Sequence, residues 1–313
     1  MERAGRRLSR RPVRARGRVR PALLKENCRA PGGEERAAGR MKPATRDDRA
    51  KRTPLLEHAL HLAFGSKVTD RVRMFEKYAK YLKRWELTPD GEPFKTRSSD
   101  LLPVDWVGHA CMIKVAHSDE ERRGGVLMRW REGIGVPAVI GYKGDAIWMF
   151  RANGGRSLVE IARNGQDDEA SRIICEVAAK LHRPRKKLRL PDLVSLEYWF
   201  SDLQPAASTY GGVLAKSATA ARDLLSAPQQ MSVPHGDLHH GNILDFGNLG
   251  WRAIDPKALI GERGFDFANI FCNPDFETAT APGRLARQAS VVAEAACLDR
   301  TRLLRWILAY AGL

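Results

Sequence analysis

The 313-residue chain has no run of ~18 or more apolar residues, so it offers no helix that would span a bilayer. It also lacks the uninterrupted apolar stretch of a secretory signal, because Arg recurs every two or three residues through Arg20. Cysteine is scarce and scattered: Cys28, Cys111, Cys175, Cys272 and Cys297 form no Cys-x-x-Cys pair. That excludes a disulfide framework and a zinc knuckle, and it fits thiols kept reduced in a cytoplasm, the expected location. Aromatic residues are absent from residues 1–52, although that stretch holds 18 Lys and Arg against 6 Asp and Glu. A basic arm without Phe, Tyr or Trp has no platform on which bases stack, so nucleic acid is not the expected partner despite a formal net charge of +16. Residues 53–313 are nearly balanced, with 35 basic against 31 acidic side chains.

The arm is rich in Arg, Gly, Ala and Pro and cannot bury enough apolar surface to offset the entropy of ordering. Residues 1–54 are therefore expected to be a disordered basic extension, or a region upstream of a start at Met41 or Met74. The rest of the chain is long enough for two modest domains. Leu55–Trp85 carries apolar residues at helical spacing. Leu101–Val107, Cys111–Val115, Val136–Gly141 and Ala146–Phe150 read as strands, with one helix over His117–Arg131. The loop Ala152-Asn153-Gly154-Gly155 marks a hinge. Beyond it, Ser157–Asn164, Asp167–His182, Leu193–Leu203, Gly212–Ala227 and the tail Arg284–Leu313 read as helical, around a β-rich block at Val233–Ile254. The expected lobes are residues 55–152 and 153–313.

The chemistry concentrates in HGDLHHGN, His235 to Asn242, followed by ILDFGNLGWRAID, Ile243 to Asp255. Gly247-Asn248-Leu249-Gly250 supplies a turn between two short strands, so the hairpin returns Asp255 to the neighbourhood of Asn242. Asp237 lies five residues before Asn242. A carboxylate, a carboxamide and a second carboxylate at one end of a hairpin suit phosphoryl transfer: oxygen ligands hold magnesium on the nucleotide phosphates, and a separate carboxylate orients the attacking hydroxyl. This spacing is that of the catalytic hairpin of protein-kinase-like folds. A metallohydrolase using His235, Asp237, His239 and His240 is the competing reading. It leaves Asn242 and the hairpin without a role, and His58, His61, His109, His117 and His182 form no second cluster.

HGDLHHGNILDFG, AIDPK (Ala253 to Lys257) and GERGFDFANIFCNPD (Gly261 to Asp275) together resemble the aminoglycoside and hydroxyurea antibiotic-resistance kinases, in particular the streptomycin 6-phosphotransferase branch. The similarity runs from about Trp85 to the C-terminus and includes DGEP (Asp90 to Pro93), EERRGG (Glu120 to Gly125) and the segment from Asp167. The resemblance implies an α+β, bilobal fold, with a small antiparallel sheet and one helix in the N-lobe and a larger, mainly helical C-lobe carrying the hairpin. It implies an ATP- and magnesium-dependent phosphotransferase acting on a hydroxyl of a small antibiotic-like acceptor. Asp237 would be the catalytic base, Asn242 and Asp255 the magnesium ligands, and Lys114 the lysine on the α- and β-phosphates. Glu121, ahead of Glu120, would be the partner of Lys114, and His235 would brace the loop.

The chain departs from the family pattern where a glycine-rich loop would cover the nucleotide. Thr96-Arg97-Ser98-Ser99 stands there, so backbone N–H groups and the hydroxyls of Ser98 and Ser99 are expected to hold phosphate. A streptomycin-like acceptor carries guanidinium groups, and Glu262, Asp266, Asp275 and Glu277 are the acids expected to meet them, with Asp266 equally able to stabilise its own loop through hydrogen bonds to backbone. Relatives continue past Leu313 through another helix, so the tail is expected to be truncated and short of packing partners; a catalytically impaired binding protein is the alternative that follows.

Overall fold

The computed structural model describes residues 66–185 and 189–313, with side chains from Phe75 onward. The expected basic extension and residues 55–65 of the expected opening helix lie outside the described residues. Helix α1 (Ser66–Trp85) buries Tyr78 and Tyr81 and stacks Tyr81 on Trp85 with ring centroids 5.3 Å apart. These aromatics pack with Leu102, Val104, Ile113 and Trp148, the inward-facing residues of an antiparallel sheet.

The sheet contains β1 (Thr88–Pro89), β2 (Phe94–Lys95), β3 (Ser99–Trp106), β4 (His109–Ala116), β5 (Val139–Lys143) and β6 (Ala146–Phe150). Its order is β1-β3-β4-β6-β5, with β2 also paired to β3. The long β3–β4 hairpin aligns Leu101 with Lys114 and Ser99 with Ala116, which carries the Ser98–Ser99 loop to the end of the strand bearing Lys114. Between β4 and β5 stands helix α2 (Asp119–Trp130). Ser118 caps it by accepting from the Glu121 N–H, and Asp119, Glu120 and Glu121 place negative charge on its positive first turn. One helix on an antiparallel sheet is the arrangement expected from the sequence.

The rest of the described chain is mainly helical: α3 (Leu158–Ile161), α4 (Asp167–Leu181), α5 (Leu196–Trp199), α6 (Leu203–Tyr210), α7 (Gly212–Ser226), α8 (Phe276–Ala279), α9 (Arg284–Ala295) and α10 (Arg300–Tyr310). Five short strands interrupt it: β7 (Val194–Ser195), β8 (Met231–Ser232), β9 (Ile243–Asp245), β10 (Trp251–Ala253) and β11 (Leu259–Glu262). The expected helix at Leu193–Leu203 is corrected. Val194–Ser195 pairs in parallel with Leu259–Ile260, and the Ser195 hydroxyl accepts from Tyr198 N–H, so it caps α5 and the helix starts only at Leu196. The tail is helical as expected and divides in two, because Asp299 caps a fresh helix at Arg300. Its Trp306 is fully buried against Phe200 and Phe265, and donates its ring N–H to Glu262 Oε1 at 2.8 Å.

The loop that follows β6 is fixed to strand β9. Gly154 N–H donates to the Asp245 carbonyl, and Arg156 grips the Asp245 carboxylate through Nε at 2.8 Å and Nη2 at 3.2 Å. A side chain on Gly154 would collide with that carboxylate, so glycine is required for the close approach.

Candidate active site

The hairpin forms as its sequence predicts. Ile243 pairs with Ala253 and Asp245 with Trp251, and Gly247 and Gly250 turn the chain with φ of 58° and 72°. The ladder continues one step beyond the strands, where Ile254 N–H donates to the Asn242 carbonyl at 2.9 Å. Asn242 and Asp255 are thereby neighbours. Asn242 Nδ2 donates to the Asp237 carbonyl at 2.9 Å, which fixes the spacing between the two parts of the loop and leaves the amide oxygen as the group available for a ligand. Asp255 takes φ of 60°, the left-handed region that Asp tolerates better than most residues.

Lys114 reaches this end of the hairpin from β4. Its ammonium lies 2.6 Å from Glu121 Oε2 and 2.5 Å from Asp255 Oδ1, with Lys114 and Glu121 buried and Asp255 one-third exposed. Ser99 Oγ donates to Glu121 Oε2 at 3.4 Å, so the buried serine of the loop supports the lysine's partner. Ser98 is half-buried, and its carbonyl accepts from His117 N–H. Of the two acids offered as partners of Lys114, Glu121 takes that role, and Glu120 instead binds Lys257 at 2.7 Å.

The loop carrying Asp237 hangs from a buried carboxylate. Asp266 Oδ2 accepts from His235 N–H at 2.7 Å and Oδ1 from Gly236 N–H at 2.6 Å, while His182 Nε2 donates to Oδ2 at 2.7 Å. Burial works against the Asp266 charge, but the His182 hydrogen bond, the nearby histidines and the Gly236 N–H hold its pKa below the usual carboxylate range. His235 Nε2 must donate to the Ile254 carbonyl at 2.8 Å, so Nδ1 is the acceptor for Asp237 N–H at 3.3 Å. Burial presses the His235 pKa below its ordinary value against the charges of Asp266 and Asp237, which keeps the ring neutral at pH 7. Asp237 itself accepts from Asn269 Nδ2 at 2.8 Å and remains partly exposed.

Asp266 and Asn269 act together for a geometric reason. Residues 263–272 form a 3₁₀ helix, in which side chains three apart eclipse, so both face the Asp237 loop. Asn273 donates to the Asn269 carbonyl at 2.9 Å, and Asp275 follows at the rim of a cavity of about 1090 Å³. Asp167, Asp275, Phe276, Glu277 and Arg163 are among its lining residues. Of the acids named for the acceptor, Asp275 and Glu277 line this cavity, and Glu262 and Asp266 do not. Glu262 is buried between Arg302, Trp306 and Gln229 N–H, and Asp266 is consumed by the loop. Asp275 also caps α8 and pairs with Arg163 at 2.8 Å.

The histidine cluster does not converge. His235 is committed to Ile254 and Asp237, His239 Nδ1 accepts from Gly241 N–H, and His240 turns toward Asp167, 3.8 Å away. Among the described residues no group of three or more His, Cys, Asp or Glu side chains is arranged to hold a metal ion. The available amide oxygen of Asn242 beside the Asp255 carboxylate is a hard oxygen pair, which fits magnesium completed by phosphate and water.

The profile of the aminoglycoside/hydroxyurea antibiotic resistance kinases matches residues 84–313. The chain belongs to this family. It is 46% identical over 237 residues to a streptomycin 3''-kinase of Klebsiella pneumoniae, covering 74% of this chain and 88% of that protein. A streptomycin 6-kinase of Streptomyces griseus is 27% identical over 245 residues, covering 74% and 78%. A hydroxyurea phosphotransferase of Kitasatospora aureofaciens is 28% identical over 245 residues, covering 74% and 69%. Among solved structures, an aminoglycoside-3'-phosphotransferase of type VIII superposes with a TM-score of 0.50 at 17% identity, covering 77% of this chain and 99% of that one. The aminoglycoside phosphotransferase APH(4)-Ia gives 0.51 at 13% identity, covering 77% and 89%. These last two likenesses establish the protein-kinase-like fold.

Gly124 of this family member explains how α2 docks beside Asp255, at the open end of the hairpin. A Cβ at Gly124 would run into the Pro256 carbonyl oxygen, an atom of backbone that has no rotamer to yield. Gly124→Ala is expected to push α2 away from Asp255–Lys257, at a cost of about 2 kcal/mol, and to weaken ADP binding by about tenfold. Calorimetric titration alongside a thermal melt checks both.

Proposed function

We propose that the protein transfers the γ-phosphate of ATP to a hydroxyl of streptomycin. The observation that carries this reading is the joining of Lys114, Glu121 and Asp255 at the end of a hairpin whose entrance holds Asp237 and Asn242, in a chain 46% identical to a streptomycin 3''-kinase. In the proposed division of labour, the part before Asn153 serves the nucleotide, and the part from Asn153 onward carries catalysis and acceptor binding. Lys114 neutralises the α- and β-phosphates, and the Thr96–Ser99 loop covers them with backbone N–H groups and the Ser98 hydroxyl. Asn242 and Asp255 would hold magnesium, which supplies charge neutralisation on the phosphates when bound. Asp237, oriented by Asn269 and by the His235–Asp266 brace, takes a hydrogen bond from the acceptor hydroxyl and aligns it with the γ-phosphorus. His235 stays neutral and structural. The proposed setting is the cytoplasm, where ATP is made.

The acceptor is proposed to lie in the 1090 Å³ cavity, with Asp275 and Glu277 facing its guanidinium groups. The 46% relative favours the 3''-hydroxyl as the acceptor atom; the 6-hydroxyl is the alternative implied by the sequence motifs and the 27% relative. Hydroxyurea is small and neutral and has no guanidinium group for Asp275 and Glu277 to meet. Comparing phosphate incorporation into streptomycin, hydroxyurea and an aminoglycoside without guanidinium groups tests the assignment. Streptomycin is expected to be used at least tenfold better than either, measured as kcat/KM (about 1.4 kcal/mol). Preference for hydroxyurea, or equal use of all three, contradicts it.

A further inference from the structure

The sequence motif AIDPK gave Asp255 a role and left Lys257 without one, yet the fold brings Lys257 to the centre of the site. Lys257 follows Asp255 by two residues, and its main-chain N–H is fixed on the His235 carbonyl at 2.7 Å. From there the ammonium lies 2.7 Å from Glu120 Oε1 and 3.9 Å from Asp237 Oδ2. Two nitrogens approach the Asp237 carboxylate this closely among the described ion pairs: Lys257 Nζ and His239 Nε2 at 3.8 Å. Burial presses the His239 pKa below its ordinary value, so that ring is neutral at pH 7. Lys257 instead presents an ammonium, hydrogen-bonded to the Glu120 carboxylate and facing Asp237. The cation at Asp237 is therefore Lys257, whereas Lys114 is already held between Glu121 and Asp255.

A site that brings a γ-phosphate up to a carboxylate base must deal with the repulsion of two anions. We propose that Lys257 is a catalytic residue that binds the transferring phosphoryl group beside Asp237, with Glu120 of α2 as its positioning residue. This rests on the phosphotransferase reading above. In the step, the bond between the γ-phosphorus and the β–γ bridging oxygen breaks, and that oxygen leaves with the electron pair as part of ADP. A bond forms from the acceptor oxygen to phosphorus, and the hydroxyl proton passes to Asp237. Lys257 stays protonated throughout, and its charge is directed at the equatorial oxygens, where negative charge sits in the transition state. Glu120 keeps the ammonium from collapsing onto Asp237 and ties its position to α2, the same helix that orients Lys114 through Glu121.

Lys257→Met, Lys257→Arg and Glu120→Gln in the full chain test the assignment against a purely structural tie between lobes. Lys257→Met is expected to lower kcat by about 10²-fold or more, with the KM for streptomycin changed less than about threefold. In titrations with magnesium, its affinity for ADP is expected to stay within about threefold of wild type, and that for AMP-PNP, which carries a γ-phosphate, to fall about tenfold. Lys257→Arg restores part of both, and Glu120→Gln loses less than about tenfold in kcat. If Lys257 is only a tie, removing either end of the Glu120 pair weakens ADP and AMP-PNP equally and lowers kcat equally, and the proposal is overturned. Near-normal turnover of Lys257→Met overturns it as well. Should Lys257→Met not fold, Lys257→Gln is judged by the same ADP against AMP-PNP comparison. Wild-type protein that binds neither nucleotide removes the phosphotransferase reading and this proposal together; wild type that binds both, with Lys257 variants unchanged, removes this proposal alone.

Discussion

Asp237→Asn is expected to lower kcat by about 10³-fold while leaving the fold and ADP affinity close to wild type. The substitution separates two properties of the side chain. An asparagine oxygen still accepts the Asn269 amide that Asp237 Oδ1 accepts at 2.8 Å, so the loop keeps its position. What is lost is a group able to receive the acceptor's proton and to orient its hydroxyl by a charge-assisted hydrogen bond. Steady-state kinetics beside a thermal melt reads both quantities. Turnover within about tenfold of wild type would show that the acceptor hydroxyl is activated by some other group.

Asp266→Asn is expected to have the largest effect on stability, a loss of about 3 kcal/mol. The carboxylate accepts from His235 N–H, Gly236 N–H and His182 Nε2 with no exposure to water, and an amide would turn its NH₂ against one of those donors. The pH dependence follows from the direction of the Asp266 shift. Its folded pKa lies below the unfolded value of about 3.9, so its stabilisation is complete above that value and is lost as pH falls through the folded pKa. Urea unfolding between pH 7 and acid is expected to show wild type losing stability below pH ~4, with this part of the acid limb missing in Asp266→Asn. A variant as stable as wild type at pH 7 would mean that the loop does not depend on this anchor. Because the anchor holds His235 and Gly236, kcat should fall with stability even though Asp266 touches no substrate.

Much of this site was legible because it is built from local signals. A turn with two positive-φ glycines between short apolar runs determines a hairpin, and a hairpin determines that Asn242 and Asp255 meet. Lys114 was legible for a related reason, as a lysine on a strand followed by an acid-bearing helix. The family resemblance put Glu121 ahead of Glu120, but adjacent residues on a helix point about 100° apart, and it is the packing of α2 that selects one. That packing is set by Gly124 against Pro256, a contact between segments distant in sequence. Glu262 was offered to the acceptor, and Asp266 was left between the acceptor and its own loop, because acids near a catalytic motif resemble one another in sequence whether they bind a ligand or anchor a loop. Their burial distinguishes them, and burial depends on Arg302, Trp306 and His182, which arrive from other helices. Lys257 and Asn269 were missed, although a signal existed. Asn269 is a polar residue in the apolar run FANIF, three places after Asp266, a spacing that puts both on one face of a tight helix.

If the proposed function holds, phosphate moves from ATP to a streptomycin hydroxyl. The most direct measurement is mass and phosphorus magnetic-resonance analysis of streptomycin incubated with the full chain, ATP and magnesium, with released ADP quantified in parallel. A single monophosphorylated streptomycin is expected, with one ADP formed for each phosphate transferred. Unmodified streptomycin, or ADP release that proceeds at the same rate without it, would rule out a streptomycin kinase.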